Sequence, residues 1–194
     1  MTRLWRDAWR PMSSPKQAQP GAELLAELFE TEYERIIRYF YARIGDGAAS
    51  EELAADVFVR ALERIDSFEW RGIPMQAWLF RIAHNMTVDY LRKYSGKKTS
   101  PIESAENVTA PDNPEDVALM TIERQELLDA MEGLTQAQRE VISLRFFSGL
   151  SSEETAQIVK RSNGAVRELQ SSGLKNLRRI LTVRQQQRVR VQGA

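Results

Sequence analysis

Cysteine is missing from all 194 residues, so disulfides and thiolate metal sites are excluded. Histidine occurs once, at His84, which leaves no His-rich metal cluster and no second imidazole for acid–base work. No apolar run approaches the ~18 residues of a membrane helix. The opening MTRLWRDAWRP lacks the uninterrupted apolar core of a secretory signal, and a cytoplasmic location is the plain inference. No glycine-rich loop of the Walker or dinucleotide type is present. The carboxylates sit at acidic helix starts with nothing beside them to tune a pair. An enzyme is therefore not expected, and neither is a cofactor, a metal or a small-molecule substrate.

What the chain does have is charge arranged in blocks beneath a formal net of zero. Residues 21–70 carry five basic and twelve acidic side chains, and residues 99–135 carry one basic and nine acidic. Residues 71–98 carry six basic against one acidic, and residues 136–194 eleven against four. Two basic blocks held apart by acidic ones suit a protein that touches a polyanion at two places.

The pattern is helical throughout. Residues 1–20, with Pro11, Pro15 and Pro20, read as a disordered arm that also holds Trp5 and Trp9. Apolar residues from Leu25 to Ile44 recur at helix spacing until Gly45-Asp46-Gly47 stops the run. A second helix is expected from Ser50 as N-cap, burying Leu53, Val57, Ala61, Leu62 and Ile65 and leaving Asp56, Arg60 and Glu63 on a polar face. The loop 67–74 follows, with Gly72 and Pro74, and feeds a helix from Met75 to about Tyr94 that ends in a basic tip. Residues 95–114 are rich in Pro, Ser, Thr and acidic groups and read as a flexible linker.

Beyond it the spacing predicts a helix over 115–132, then one capped by Thr135 with Gln138 at the capping-box position. A third is capped by Ser151, and after a turn at Lys160-Arg161 a last helix of about twenty residues is capped by Ser162. Short helix, tight turn and long basic helix is the layout of a helix-turn-helix. In the last helix Val166, Leu169, Gly173, Leu177 and Ile180 would face the domain. Asn163, Arg167, Glu168, Ser171 and Lys175 would point outward. Residues 183–194 read as a basic tail. The fold class is all-α: two small helical domains, about 21–95 and 115–182, joined by a linker over 96–114.

The stretch around which the chain is organised is SFEWRGIPMQAWLFRIAHNMTVDYLRK, residues 67–93. Trp78, Phe80 and Tyr90 are assigned to core packing. Phe68 and Trp70 stand on a Gly/Pro loop beside Arg71, Asn85, Arg92 and Lys93. Aromatic faces stack on unpaired bases at ~1–3 kcal/mol each, and an amide can read an extruded base edge. One module for melted strand and one for duplex, on a tether, suits a protein that finds a site and helps open it. A stand-alone helix-turn-helix regulator with a helical sensor or dimerisation domain is the alternative.

These residues carry a resemblance. EELAADVFVRALERIDSF resembles region 2.2, and GIPMQAWLFRIAHNMTVDYLRK regions 2.3 and 2.4, of bacterial sigma factors of the extracytoplasmic-function type. LTQAQREVISLRFFSGLSSEETAQIVKRSNGAVRELQSSGLKNLRRIL resembles their region 4. The resemblance implies a subunit of RNA polymerase holoenzyme that directs promoter-specific transcription initiation. It implies docking on the β′ clamp helices through Glu52, Asp56, Arg60 and Glu63, and contact of region 4 with the β flap. It places minus-ten DNA on Phe68, Trp70, Arg71, Asn85, Arg92 and Lys93. It places minus-thirty-five DNA on Ser162, Asn163, Gly164, Arg167, Ser171 and Lys175. An anti-sigma factor is a further expected partner. The chain departs from the family pattern at Lys160 in the turn, at Thr155, and at Ser171-Ser172-Gly173.

Overall fold

The computed structural model describes residues 20–65, 74–94 and 114–192. Among them are seven α-helices, one π-helical turn and no strand. The N-terminal arm with Trp5 and Trp9, the linker, and Phe68, Trp70 and Arg71 all lie outside the described residues.

Helix α1 spans Pro20–Ile44. It stops at Gly45, whose φ of +76° is open to glycine and strained for most other residues. Asp46 then takes an extended conformation and accepts the Ala49 N–H at 3.0 Å, so it, not Ser50, caps α2 (Gly47–Arg64). Ser50 sits one turn inside, fully buried, and donates its hydroxyl to the Asp46 carbonyl at 2.5 Å. Both residues are good cap types. The glycine stop at position 45 decides between them, because it leaves Asp46 extended.

The buried stripe of α2 is also rotated from the one expected. Ala54, Val57, Phe58 and Ala61 are buried, whereas Leu62 is 57% exposed. Phe58 meets the edge of Phe29 on α1 with ring centroids 4.9 Å apart. That aromatic contact turns the helix toward Phe58 and carries Leu62 out.

Helix α3 (Met75–Tyr94) completes the first unit. Trp78 and Phe80 are buried, as packing residues should be, and Phe80 stands edge-on to Tyr39 at 6.1 Å. Ile36, Tyr39, Phe40, Leu79 and Phe80 are all shielded from solvent. Burying each such side chain is worth roughly 1.5–3 kcal/mol. Tyr90 is only half-buried and lies against Tyr94, with centroids 4.5 Å apart.

The second unit runs through α4 (Pro114–Glu132), α5 (Gln136–Ile142), the π turn Ser143–Phe147, α6 (Ser152–Val159) and α7 (Asn163–Gln192). The expected capping box of Thr135 with Gln138 forms, Ser151 caps α6 as expected, and Glu154 completes a second box there that the sequence reading had not named. Helix α7 has 30 residues rather than about twenty. No glycine or proline interrupts it between Gly173 and Gly193, and its second half is tied to α4. Arg184 pairs with Asp129 at 3.3 Å, and Arg188 pairs with Glu126.

The cores of this unit are small: Met131, Leu134 and Ile142 form one, and Val141, Ala156 and Val166 another. Three more apolar residues, Leu144, Leu150 and Ile158, are buried with the first unit, in one cluster with Ile36, Phe40, Leu79 and Phe80. Helix α1 touches the π turn and α3 touches α6.

Candidate nucleic-acid and polymerase interfaces

On α2 the four residues expected to dock a partner, Glu52, Asp56, Arg60 and Glu63, are all exposed. The spacing of 52, 56, 60 and 63 runs in steps of four, four and three, so they share one face. Val59, 54% exposed, and Leu62 stand on the same helix among them. Residue-by-residue periodicity missed both, because it placed Leu62 in the core. A mixed face of acid, base and two apolar side chains can bury an apolar centre inside a polar rim.

On α3, Asn85, Arg92 and Lys93 are exposed, while Phe68, Trp70 and Arg71 from the same expected site lie outside the described residues. Arg81, Asn85, Asp89 and Arg92 form one outward row. Arg81 was not among the expected residues, although its i, i+4 spacing to Asn85 was the available signal. Arg92 pairs with Asp89 at 3.0 Å, and the Lys93 ammonium sits 5.3 Å from the centre of the Tyr94 ring. The end of α3 thus offers two cations and an aromatic pair, the combination that grips single-stranded backbone and bases.

His84 faces the other way. Its Nδ1 is 3.1 Å from a carboxylate oxygen of Glu140 on α5. Burial lowers the imidazole pKa, the Glu140 charge opposes that, and Arg43 and Lys160 add to the lowering.

The helix-turn-helix is α6, the turn and α7. Lys160 ends α6 in the left-handed region, φ 54° and ψ 48°, a conformation that glycine adopts most readily. Its N–H reaches the Ala156 carbonyl, which closes the helix end as a glycine would at a cost of roughly 1–2 kcal/mol. Thr155 is fully buried and its hydroxyl has no hydrogen-bond partner.

Ser162 accepts the Ala165 N–H at 3.2 Å and so caps α7 as expected. Gly164, Arg167, Glu168, Ser171 and Lys175 are exposed. Arg167, Ser171, Lys175 and Arg178 make one outward row at i, i+4, i+8 and i+11, the edge a recognition helix lays in a groove. Asn163 is half-buried, and its amide donates to Glu153 at 3.4 Å.

Ser172 and Gly173 do not belong to that edge. Ser172 hydrogen-bonds the Gln138 amide at 3.1 Å. A Cβ on Gly173 would stand 3.1 Å from Ile142 Cγ1, tighter than ordinary van der Waals contact, so glycine here sets the approach of α7 to α5. Of the three departures at 171–173, only Ser171 faces outward.

Residues 28–96 match the family described as Sigma-70 region 2, and residues 130–179 match Sigma-70, region 4. The ECF RNA polymerase sigma factor BldN of Streptomyces coelicolor is 34% identical over 179 residues, which cover 90% of this chain and 67% of the relative. The ECF RNA polymerase sigma factor SigD of Mycobacterium tuberculosis is 31% identical over 159 residues, covering 79% and 75%. Among solved structures, the sigma factor RpoE in complex with the anti-sigma factor NepR from Bartonella quintana superposes with a TM-score of 0.65 at 25% identity. It covers 83% of this chain and 98% of that one.

Proposed function

The chain belongs to the extracytoplasmic-function sigma factors, and from its exposed surfaces we propose how it performs their task of directing transcription initiation. Core RNA polymerase docks on the outer face of α2 through Glu52, Asp56, Arg60 and Glu63, with Val59 and Leu62 at the centre of the contact. The minus-ten element is held by Asn85, Arg92 and Lys93 of α3 together with Phe68, Trp70 and Arg71. The minus-thirty-five element is read by α7 through Ser162, Asn163, Gly164, Arg167, Ser171 and Lys175.

The observation that carries this reading is order. The two sigma regions follow each other along one chain, and each has a polar row exposed where its role needs one.

Phosphate neutralisation by Lys and Arg supplies affinity, and contacts to base edges supply sequence. The protein carries no chemistry of its own in this scheme. It acts by positioning the polymerase and holding melted strand. Its partners are core polymerase, promoter DNA and an anti-sigma factor of the kind its structural neighbour is bound to. A cytoplasmic site of action follows from those partners. Among the described residues no helix is long and apolar enough to cross a membrane.

Reconstitution with purified core polymerase tests the proposal. Promoter-dependent transcripts are expected. Trp70→Ala and Asn85→Ala should abolish open-complex formation while core binding stays near the parent's. Variants that open promoters like the parent would refute the base-holding assignment. No transcript from any genomic fragment, with no core binding, would refute the whole reading.

A further inference from the structure

Two arginines are buried near each other with no acid between them. Arg43, in the last turn of α1, is 4% exposed, and Arg139 of α5 is half-buried. The Nε atom of each is shielded from solvent and has no hydrogen-bond partner. Arg139 gives one terminal N–H to the Glu132 carbonyl at 2.6 Å, an oxygen without a full charge. The Tyr39 hydroxyl beside Arg43 is neutral, because burial pushes its pKa up to about 12. The nearby carboxylates are engaged elsewhere: Asp89 holds Arg92 at 3.0 Å, and Glu140 takes His84 at 3.1 Å. Among the described residues neither Arg43 nor Arg139 forms an ion pair.

That arrangement is unfavourable for the chain alone. A guanidinium stays charged at any ordinary pH, so it cannot escape burial by losing its proton as a lysine can. Burial, and then the Arg43 charge, lower the Arg139 pKa, with Glu132 opposing them. Each arginine therefore feels the other, and like charges in a low-dielectric site call for a counter-charge.

Both guanidinium groups line one cavity of about 480 Å³, whose wall is completed by Val88, Leu91 and Arg92 of α3 and Gln136 of α5. Val88, Arg92 and Gln136 are exposed, so they form the rim, and the buried Arg43 lies deep. The volume falls within the range of about 300–1,000 Å³ that holds small organic ligands. Apart from Arg92, none of these residues belongs to the promoter or polymerase surfaces above.

We propose that this cavity binds a small phosphorylated molecule, with its phosphate oxygens shared by Arg43 and Arg139 and its organic body lying on Val88 and Leu91. Guanidinium N–H groups match phosphate oxygens in geometry and charge, and phosphate has lone pairs enough for both orphaned Nε–H donors. Arg92 adds positive charge at the rim. The phosphates of DNA do not fit this role, because a polymer backbone cannot follow a side chain to a position only 4% exposed. A free phosphate or a nucleoside diphosphate supplies the same oxygens. The cavity is far larger than one phosphate group and has an apolar side, which favours the nucleotide.

Calorimetric titration of the full chain at fixed ionic strength separates these sources, with inorganic phosphate, ADP and adenosine as probes. ADP should bind at one site, inorganic phosphate more weakly, and adenosine not at all. Equal affinity for inorganic phosphate and ADP would assign the site to free phosphate and overturn the contact with Val88 and Leu91. A parent chain that binds neither phosphate probe overturns the site.

Arg43→Met and Arg139→Met should each weaken ADP binding about tenfold or more. In phosphate-free buffer both variants should melt at a higher temperature than the parent, since each removes a buried charge that has no counter-ion. Arginines that serve only the fold predict the reverse, so a lower melting temperature in both variants overturns the proposal. Scrambled duplex DNA should bind Arg43→Met as it binds the parent. A parallel loss of duplex and ADP affinity would make Arg43 a DNA contact and overturn the proposal as well.

Discussion

The two units are both helical, but they are held together by different means. The first rests on one large apolar core in which Tyr39, Phe40 and Phe80 are fully buried. The second has two clusters of three buried residues each, and it relies on local devices: two capping boxes, the Ser162 cap and the α4–α7 ion pairs. Its remaining apolar patch is covered by the first unit. A unit with a large core keeps its fold without leaning on another. A unit built from caps and small clusters depends on what it leans against.

The strongest test of this contrast is Phe80→Ala. It removes a fully buried ring from the large core and should cost about 3–5 kcal/mol. Chemical denaturation should show the loss on both units at once, because Leu144, Leu150 and Ile158 share that cluster. Two separate transitions with only one shifted would break the idea that the second unit leans on the first.

Next in size is Arg167→Ala on the exposed edge of α7. Loss of a base contact should weaken binding to a minus-thirty-five duplex by about 1–3 kcal/mol. Stability should be unchanged, since the side chain is solvent-exposed. An equal loss on scrambled duplex would make it a phosphate contact. Binding that depended on Phe80 as strongly as on Arg167 would blur the separation between a structural unit and a reading unit.

A smaller effect, of opposite sign, is expected at the turn. Lys160 holds a left-handed conformation, and Lys160→Gly should raise stability by about 1 kcal/mol. The gain should appear in thermal unfolding. No gain would mean that the Lys160 side chain compensates for the strain it brings.

The same contrast explains what could be read from the sequence. Caps are local, so the Thr135 box with Gln138 and the Ser151 and Ser162 caps were legible, as was the short turn at Lys160-Arg161. The outward row of α7 was legible because α6 and the turn set its rotation within a few residues. The stripe of α2 was not. Periodicity cannot choose between Leu62 and Phe58 until the ring of Phe29 is in place. The N-cap of α2 was misplaced because Asp46 and Ser50 are both good caps and only the stop at Gly45 separates them. The shared core was invisible for the plainest reason: nothing in the pattern around Leu144, Leu150 or Ile158 says that their neighbours are Ile36 and Phe80, far earlier in the chain.

The smallest effect comes from one proton at the seam between the units. His84 is the chain's single histidine, and its pKa is lowered from 6.5, first by burial. The groups around it are Glu140 of α5, which raises the pKa, and Arg43 of α1 and Lys160 after α6, which lower it. A group whose pKa falls on folding is neutral in both states at high pH and contributes no slope there. As pH drops through 6.5 the unfolded chain takes up the proton first, so the folded chain loses stability until its own imidazole protonates. One proton bounds the slope at ~1.4 kcal/mol per pH unit. Denaturation midpoints of the free chain should therefore fall between pH 7 and pH 5, and His84→Gln should flatten that limb while leaving the pH 7.5 value nearly unchanged. If the seam, and not the first unit alone, buries His84, then removing the second unit should move the imidazole resonance back toward ordinary titration. An unaltered titration would locate the burial within α1 and α3 and leave the seam no part in it.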